Sequence, residues 1–300
     1  MRTMTMMMPG SRRRQRCPLL DDDGGETELF CASLVEGLAH LERTLQVVDG
    51  GVSMRWCADA MRMVKRMQRD MLAIFRNADD VSVSVSGEKK GGCCWFEHYM
   101  QETAALLDLC NELKAAVSRM HRYCMLVDLA AASRSGDGWA APPPPVAAVR
   151  DKLTSVKAEW LGKGNNAGGG MVVVALVAKI TMAVVSVLVL QALTSSRSHI
   201  VDVSPLTGGG GIMVPEELEP WHRSLSLIHG RFPSRVTVVE HDKVSMAVQH
   251  DGGDRQQLRA RSGELREGVE MFDAVLDEVF DEVIRGRNEM LGILRDKVLT

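Results

Sequence analysis

Residues 171–193 read MVVVALVAKITMAVVSVLVLQAL, and where this run resides decides the fold. A helix needs about 20 predominantly apolar residues to cross a bilayer, and the run is long enough. Lys179 near its middle costs on the order of 3 kcal/mol on insertion scales, which the surrounding Val, Leu and Ile can offset. As a span it would keep its N-terminal flank in the cytosol, with Arg150, Lys152, Lys157 and Lys163 before it against Arg197 after it. A helix apolar on all sides equally suits the buried centre of a bundle. Lys179 would then snorkel or meet a carboxylate. A span would also put a bilayer between the helices before and after it, leaving each to bury its apolar stripe alone. That argues for the bundle.

Upstream of the run, three segments carry helical periodicity. Leu34, Leu38, Leu41, Leu45 and Val48 fall on one face until Asp49, Gly50 and Gly51 break the pattern. Trp56, Ala60, Met63, Met67, Met71 and Ile74 form a second stripe, with Arg62, Arg66, Arg69 and Arg76 on the other faces. Residues 77–92 read as a loop, since Val81, Val83 and Val85 alternate with serines but one strand alone is not stable. The third helix is expected from about Cys94 to Ala132, free of Gly and Pro, with Phe96, Met100, Leu107, Cys110, Leu113, Val117 and Met120 on one stripe. Leu126 and Leu129 continue its apolar character.

Residues 133–145 (SRSGDGWAAPPPP) are a linker, because four consecutive prolines favour polyproline II. A helix is expected from about Val146 to Leu161, with Val149, Leu153, Val156 and Trp160 on one face, and a Gly-rich hinge over 162–170. Beyond the apolar run, TGGGG at 207–211 opens a loop and 216–254 is mixed. Leu225, Leu227 and Ile228 suggest a short helix, and 236–239 a brief strand. Then Leu265, Val269, Phe272, Leu276, Val279, Val283, Gly286, Met290 and Ile293 alternate steps of four and three, the heptad pattern of a coiled-coil or bundle helix. Only Gly286 interrupts that seam.

The expected fold is therefore all-α: an elongated helical bundle with a very apolar central helix and a heptad-patterned C-terminal helix. Residues 1–25 form a disordered basic tail, 26–132 an N-terminal helical region, 133–145 the Pro-rich linker and 146–300 a C-terminal helical region. Residues 26–300 can also be read as one bundle. The first 20 residues hold five arginines and no acid. The alternative to a tail is an organelle transit peptide; no apolar core of secretory length is present.

Composition narrows the function classes. Aromatics are 4% of the 300 residues while Met numbers 19, so Leu, Val, Ala and Met must build the core. A formal charge of −3 gives no bulk field for nucleic acid. The seven cysteines are odd in number and lack a CxxC pair, which fits a reducing, intracellular setting and structural roles. The glycines of 162–170 do not follow GxGxxG, and no strand precedes them. The eight histidines form no HExxH or Cys/His zinc pattern, and no GxSxG elbow occurs. No catalytic, cofactor or metal residue is assigned, and neither a small-molecule ligand nor nucleic acid is expected. The candidate interaction residues are instead Asp277, Asp281 and Glu282 on the last helix and Arg62, Arg66 and Arg69 on the second. Asp273 and Glu278 add to the acidic side, and the two faces could also pair with each other.

CCWFEHYMQETAALLDLCNELKAAVSRMHRYCMLVDLA (93–130) resembles the plant BYPASS-related family, also grouped with the ROH-type proteins. The phrase LLDLCNEL (Leu106–Leu113), after Trp95 and Tyr99 spaced W-x-x-x-Y, is its most specific part. The apolar run before a Ser-rich stretch and LREGVEMFDAVLDEVFDEVIRGRNEML (Leu265–Leu291) are similar too. The resemblance covers most of 26–297; the tail and the Pro- and Gly-rich linkers depart from it. It implies a plant-specific, mostly helical, non-catalytic protein of growth and development that restrains a mobile root-to-shoot signal. It also implies protein partners such as exocyst subunits, which tether secretory vesicles, and the leading reading is a membrane-associated interaction protein. It supplies no active-site residues. The alternative is a single-span membrane anchor or an exocyst-linked trafficking adaptor.

Overall fold

A computed structural model describes residues 24–46, 51–77, 95–132, 170–194, 218–232, 236–249 and 255–299. The basic tail to residue 23, the 78–94 loop, the Pro-rich linker, the 146–161 helix and most of the 162–170 hinge lie outside the described residues. So do Val48, Asp49 and Gly50.

The chain is all-α. Helices α1 (Gly24–Thr44), α2 (Met54–Asn77), α3 (Trp95–Ala132), α4 (Gly170–Thr194), α5 (Glu219–Arg231), α6 (Val239–Gln249) and α7 (Arg255–Leu299) are joined by one two-stranded parallel sheet. Its strands are β1 (Gly51–Val52) and β2 (Thr237–Val238), with Gly51 opposite Thr237 and Val52 opposite Val238. The sequence anticipated β2 but neither its partner β1 nor α6. A strand of two residues lies below the length at which alternation shows.

Helix α4 is the apolar run, and 89% of its Val177–Thr194 stretch is buried. It packs against α1, α2, α3, α5 and β2. Lys179 has found its carboxylate: its Nζ lies 2.5 Å from Glu102 Oε1 of α3. Thr181 returns its hydroxyl proton to Val177 O (2.8 Å) and accepts the Trp221 indole N–H of α5 (2.8 Å). Lys179 and Thr181 thus fix α4 to α3 and α5.

Helix α7 lies between α2 and α3. Its ion pairs to α2 keep one sequence separation: Lys65–Glu278, Arg69–Glu282 and Arg76–Glu289 are each 213 positions apart. A constant separation means the two helices run parallel and in register. Against α3 the order reverses. Arg287 donates to Met100 O and to Thr103 Oγ1 (2.7 Å), Lys114 pairs with Asp273, and Arg266 pairs with Asp128. That is the antiparallel arrangement. The heptad seam is buried from Leu265 to Met290, with Ile293 partly covered.

Gly286 is the one gap in the seam because a buried aromatic ring needs its space. A Cβ there would collide with the Tyr99 hydroxyl, and Tyr99 stands edge-on to Phe75 of α2 at 5.7 Å. Gly268 likewise admits Met54, whose Cβ would lie 2.9 Å from an added methyl.

Helix α2 begins at a composed cap. Ser53 Oγ accepts the Trp56 N–H (3.2 Å), and the Glu240 carboxylate of α6 accepts the Met54 N–H (3.1 Å). An acid at the positive end of the helix dipole is favourable. Helix α1 runs antiparallel to α2, with Ser33 donating to Asp70 (2.8 Å) and Leu41 O accepting the Trp56 indole N–H (3.0 Å).

Gly286→Ala is expected to destabilise the protein by about 1–3 kcal/mol in urea unfolding, through overpacking against Tyr99. Gly263→Ala, in the same helix with nothing within 4 Å of the new methyl, should instead stabilise by about 0.5–1 kcal/mol.

Candidate interaction surfaces

The basic side of α2 and the acidic side of α7, both read from the sequence as docking faces, meet along part of their length. Arg69 bonds Glu282 at 3.2 Å, and Glu282, whose side chain is only 7% exposed, also accepts from Arg285. Asp277 is held by Lys114 of α3 at 2.7 Å, beside the Lys114–Asp273 pair at 2.6 Å. Arg62 turns back one turn to Asp59 (2.7 Å). Arg66 lies over Gly37 of α1, where a Cβ would come within 2.6 Å of its Nη2. Of the six candidates, Asp281 on α7 and Arg66 on α2 are exposed with no ion-pair partner among the described residues.

Lys65, Lys114, Glu289 and Glu102 were not singled out from the sequence, yet they complete these contacts. The signal for Lys65 was its position between Arg62 and Arg69 on the α2 face. For Lys114 and Glu102 a single helix carries no signal, because their partners lie far along the chain.

Electrostatics follow the pairing. Burial opposes the Glu282 charge, but hydrogen bonds from Arg69 and Arg285 outweigh it and hold the carboxyl below its ordinary 4.5. The Lys65 hydrogen bond and charge lower Glu278 in the same direction. Burial pushes the Cys57 thiol up, Cys110 to about 12 and Cys124 to about 11. These thiols stay protonated and make poor nucleophiles.

What the bundle leaves outward is apolar as well as charged. Met125 (70%), Leu129 (68%) and Leu126 (43%) stand exposed on the second half of α3. Ile284 and Leu291 are exposed on α7, three and ten residues beyond Asp281, which puts all three on one outward stripe. A shallow surface cleft that encloses no water-sized space lies between α1 and α2, lined by Phe30, Leu34, Met63 and Met67 with Arg66 beside them. Pockets that enclose a small molecule run to about 300–1,000 Å³. Among the described residues no three His, Cys, Asp or Glu side chains converge as a metal site.

In comparisons with known proteins, no family model, no curated protein and no solved structure matches the chain.

Both glutamates titrate below their unfolded value, so their stabilisation is complete above about pH 4.5 and disappears as pH falls through the lowered folded values. At pH 7 Glu282→Gln should cost about 1–2 kcal/mol, since the arginines it abandons can turn to water. Glu278→Gln, at a solvated pair, should cost within about 0.5 kcal/mol. Urea midpoints measured from pH 7 downward should show both gaps to wild type closing below pH 4.5.

Proposed function

We propose that this chain is a non-catalytic interaction protein that works at intracellular membranes, a regulator of plant development of the BYPASS-related type. Its working surfaces are helix faces, its partners are proteins, with exocyst subunits the first class to test, and it uses no cofactor. The family part of the reading rests on the resemblance of 93–130 and of Leu265–Leu291. Those stretches include most of α3 and the seam of α7, two helices that pack along each other.

The observation that carries the reading of one continuous bundle is the burial of α4, together with the Lys179–Glu102 pair. A helix enclosed by α1, α2, α3 and α5 contributes its apolar surface to the core they share. The second reading is a single-span anchor that positions a cytosolic helical domain. It is favoured by Val177–Thr194, which is long and apolar enough to cross a membrane.

The two readings separate in carbonate extraction of membranes that contain the full chain with a tag at each end. Extraction into the soluble fraction is the expected result. Retention, with the tags on opposite sides, would give α4 to the bilayer and defeat the single bundle.

The partner surface has its own test. Asp281→Lys with Ile284→Ser alters the outward stripe of α7 and leaves every ion pair of the bundle in place. Capture of partner proteins from plant extracts should fall at least several-fold, with the unfolding midpoint unchanged. An undiminished partner set would remove this stripe from the proposal.

A further inference from the structure

The second half of α3 carries an outward face that the folding of the bundle does not use. On one side Asp128 is engaged by Arg266 of α7 (2.8 Å). On another, the Tyr123 ring lies 4.9 Å from the His241 ring of α6. Met125, Leu126 and Leu129 are turned away from both neighbours, and each is more than two-fifths exposed. At 100° per residue Arg122 falls between Leu126 and Leu129 on the same stripe. It is exposed and has no ion-pair partner among the described residues.

Arg119 adjoins this stripe one turn earlier. Its Nε and Nη2 are covered by protein and have no hydrogen-bond partner among the described residues. Its uncompensated charge raises the positive potential of this side of α3. The one acid of α3 from residue 116 to its end is Asp128, which Arg266 already neutralises. The face therefore combines two cations with no assigned counter-charge and three long apolar side chains held in water.

We propose that this face, Arg119, Arg122, Met125, Leu126 and Leu129, docks on an anionic bilayer surface. Lipid phosphates would pair with the exposed Arg122 guanidinium, the neighbouring Arg119 charge would add to their attraction, and the three apolar side chains would enter the boundary between headgroups and acyl chains. The chemistry of the face selects this occupant: an exposed arginine set among long apolar side chains matches an anionic headgroup layer with the acyl boundary beneath it. The proposal rests on the membrane reading above and gives it a surface independent of α4.

The test is flotation of the full chain with vesicles of phosphatidylcholine, alone or mixed with phosphatidylserine. The Arg-rich segment before α1 would itself attract anionic vesicles. All proteins therefore carry Arg12, Arg13, Arg14 and Arg16→Gln. The expected result is salt-sensitive binding to the mixed vesicles and none to phosphatidylcholine. Arg119→Gln with Arg122→Gln, and separately Met125→Asp with Leu129→Asp, should each weaken it by roughly tenfold or more. Unchanged helical circular dichroism and unfolding midpoint show that the variants remain folded.

Equal binding by parent and variants, or no binding by the parent, overturns the proposal. So does a dimer that dissociates in the Met125/Leu129 variant without vesicles, which would give the face to a second copy. New tryptic cleavage after Arg150, Lys152 and Lys157 in that variant would give it to residues 133–169, with the same consequence. Persistence of the variants in the membrane fraction of cells would leave the broader membrane reading intact while this surface fails.

Discussion

A 25-residue helix that is apolar on every side has no face it can show to water. Everything else in this protein is arranged around that constraint. Each fully buried Val or Leu of α4 is worth on the order of 1.5–3 kcal/mol, but only if a neighbour covers it. Helices α1, α2, α3 and α5 and strand β2 supply those neighbours. The enclosure turns Lys179 from a liability into a positioning device. A charge at the partly exposed edge of the core is stable when it is paired, and Glu102 pairs it. One point on α4 is thereby fixed to one point on α3.

The second organising feature is the place of α7 between a parallel and an antiparallel neighbour. Charge accompanies packing on both sides. The basic side of α2 and the acidic side of α7 keep the same separation through three ion pairs. Toward α3, Lys114 bridges Asp273 and Asp277. Solvated pairs of this kind contribute little stability each, so they mark the register, while the buried Leu265–Met290 seam provides the stabilisation. Gly286 belongs to the same fit, since its missing side chain is the room in which Tyr99 stands.

These uses of charge change which residues remain available to partners. Internal pairing occupies Arg69, Glu282 and Asp277, and Arg66 is laid over α1. The outward surface consists of the faces that the seam does not need: the stripe of Asp281, Ile284 and Leu291 on α7, and the exposed Met and Leu side chains late in α3. Leu126 and Leu129 read in the sequence as continuing the apolar character of α3. They are outward because 126 and 129 lie nearly opposite the residues that face the core there, Cys124, Val127 and Ala131.

Sequence by itself determined α1 to α5 and α7, because helical periodicity is a local property recorded within one segment. The stripe of α2, the seam of α7 and the extent of α3 and α4 were all legible in this way. So was the chance that the basic and acidic sides would meet. Tertiary structure alone decided what covers α4, which carboxylate Lys179 meets and which charged residues are consumed internally. It also decided that β2 has a partner 186 positions away in the chain and that Glu240 caps α2. Each of those facts is a relation between two distant segments. A periodic pattern states which face of a helix must be buried, and it does not state against what.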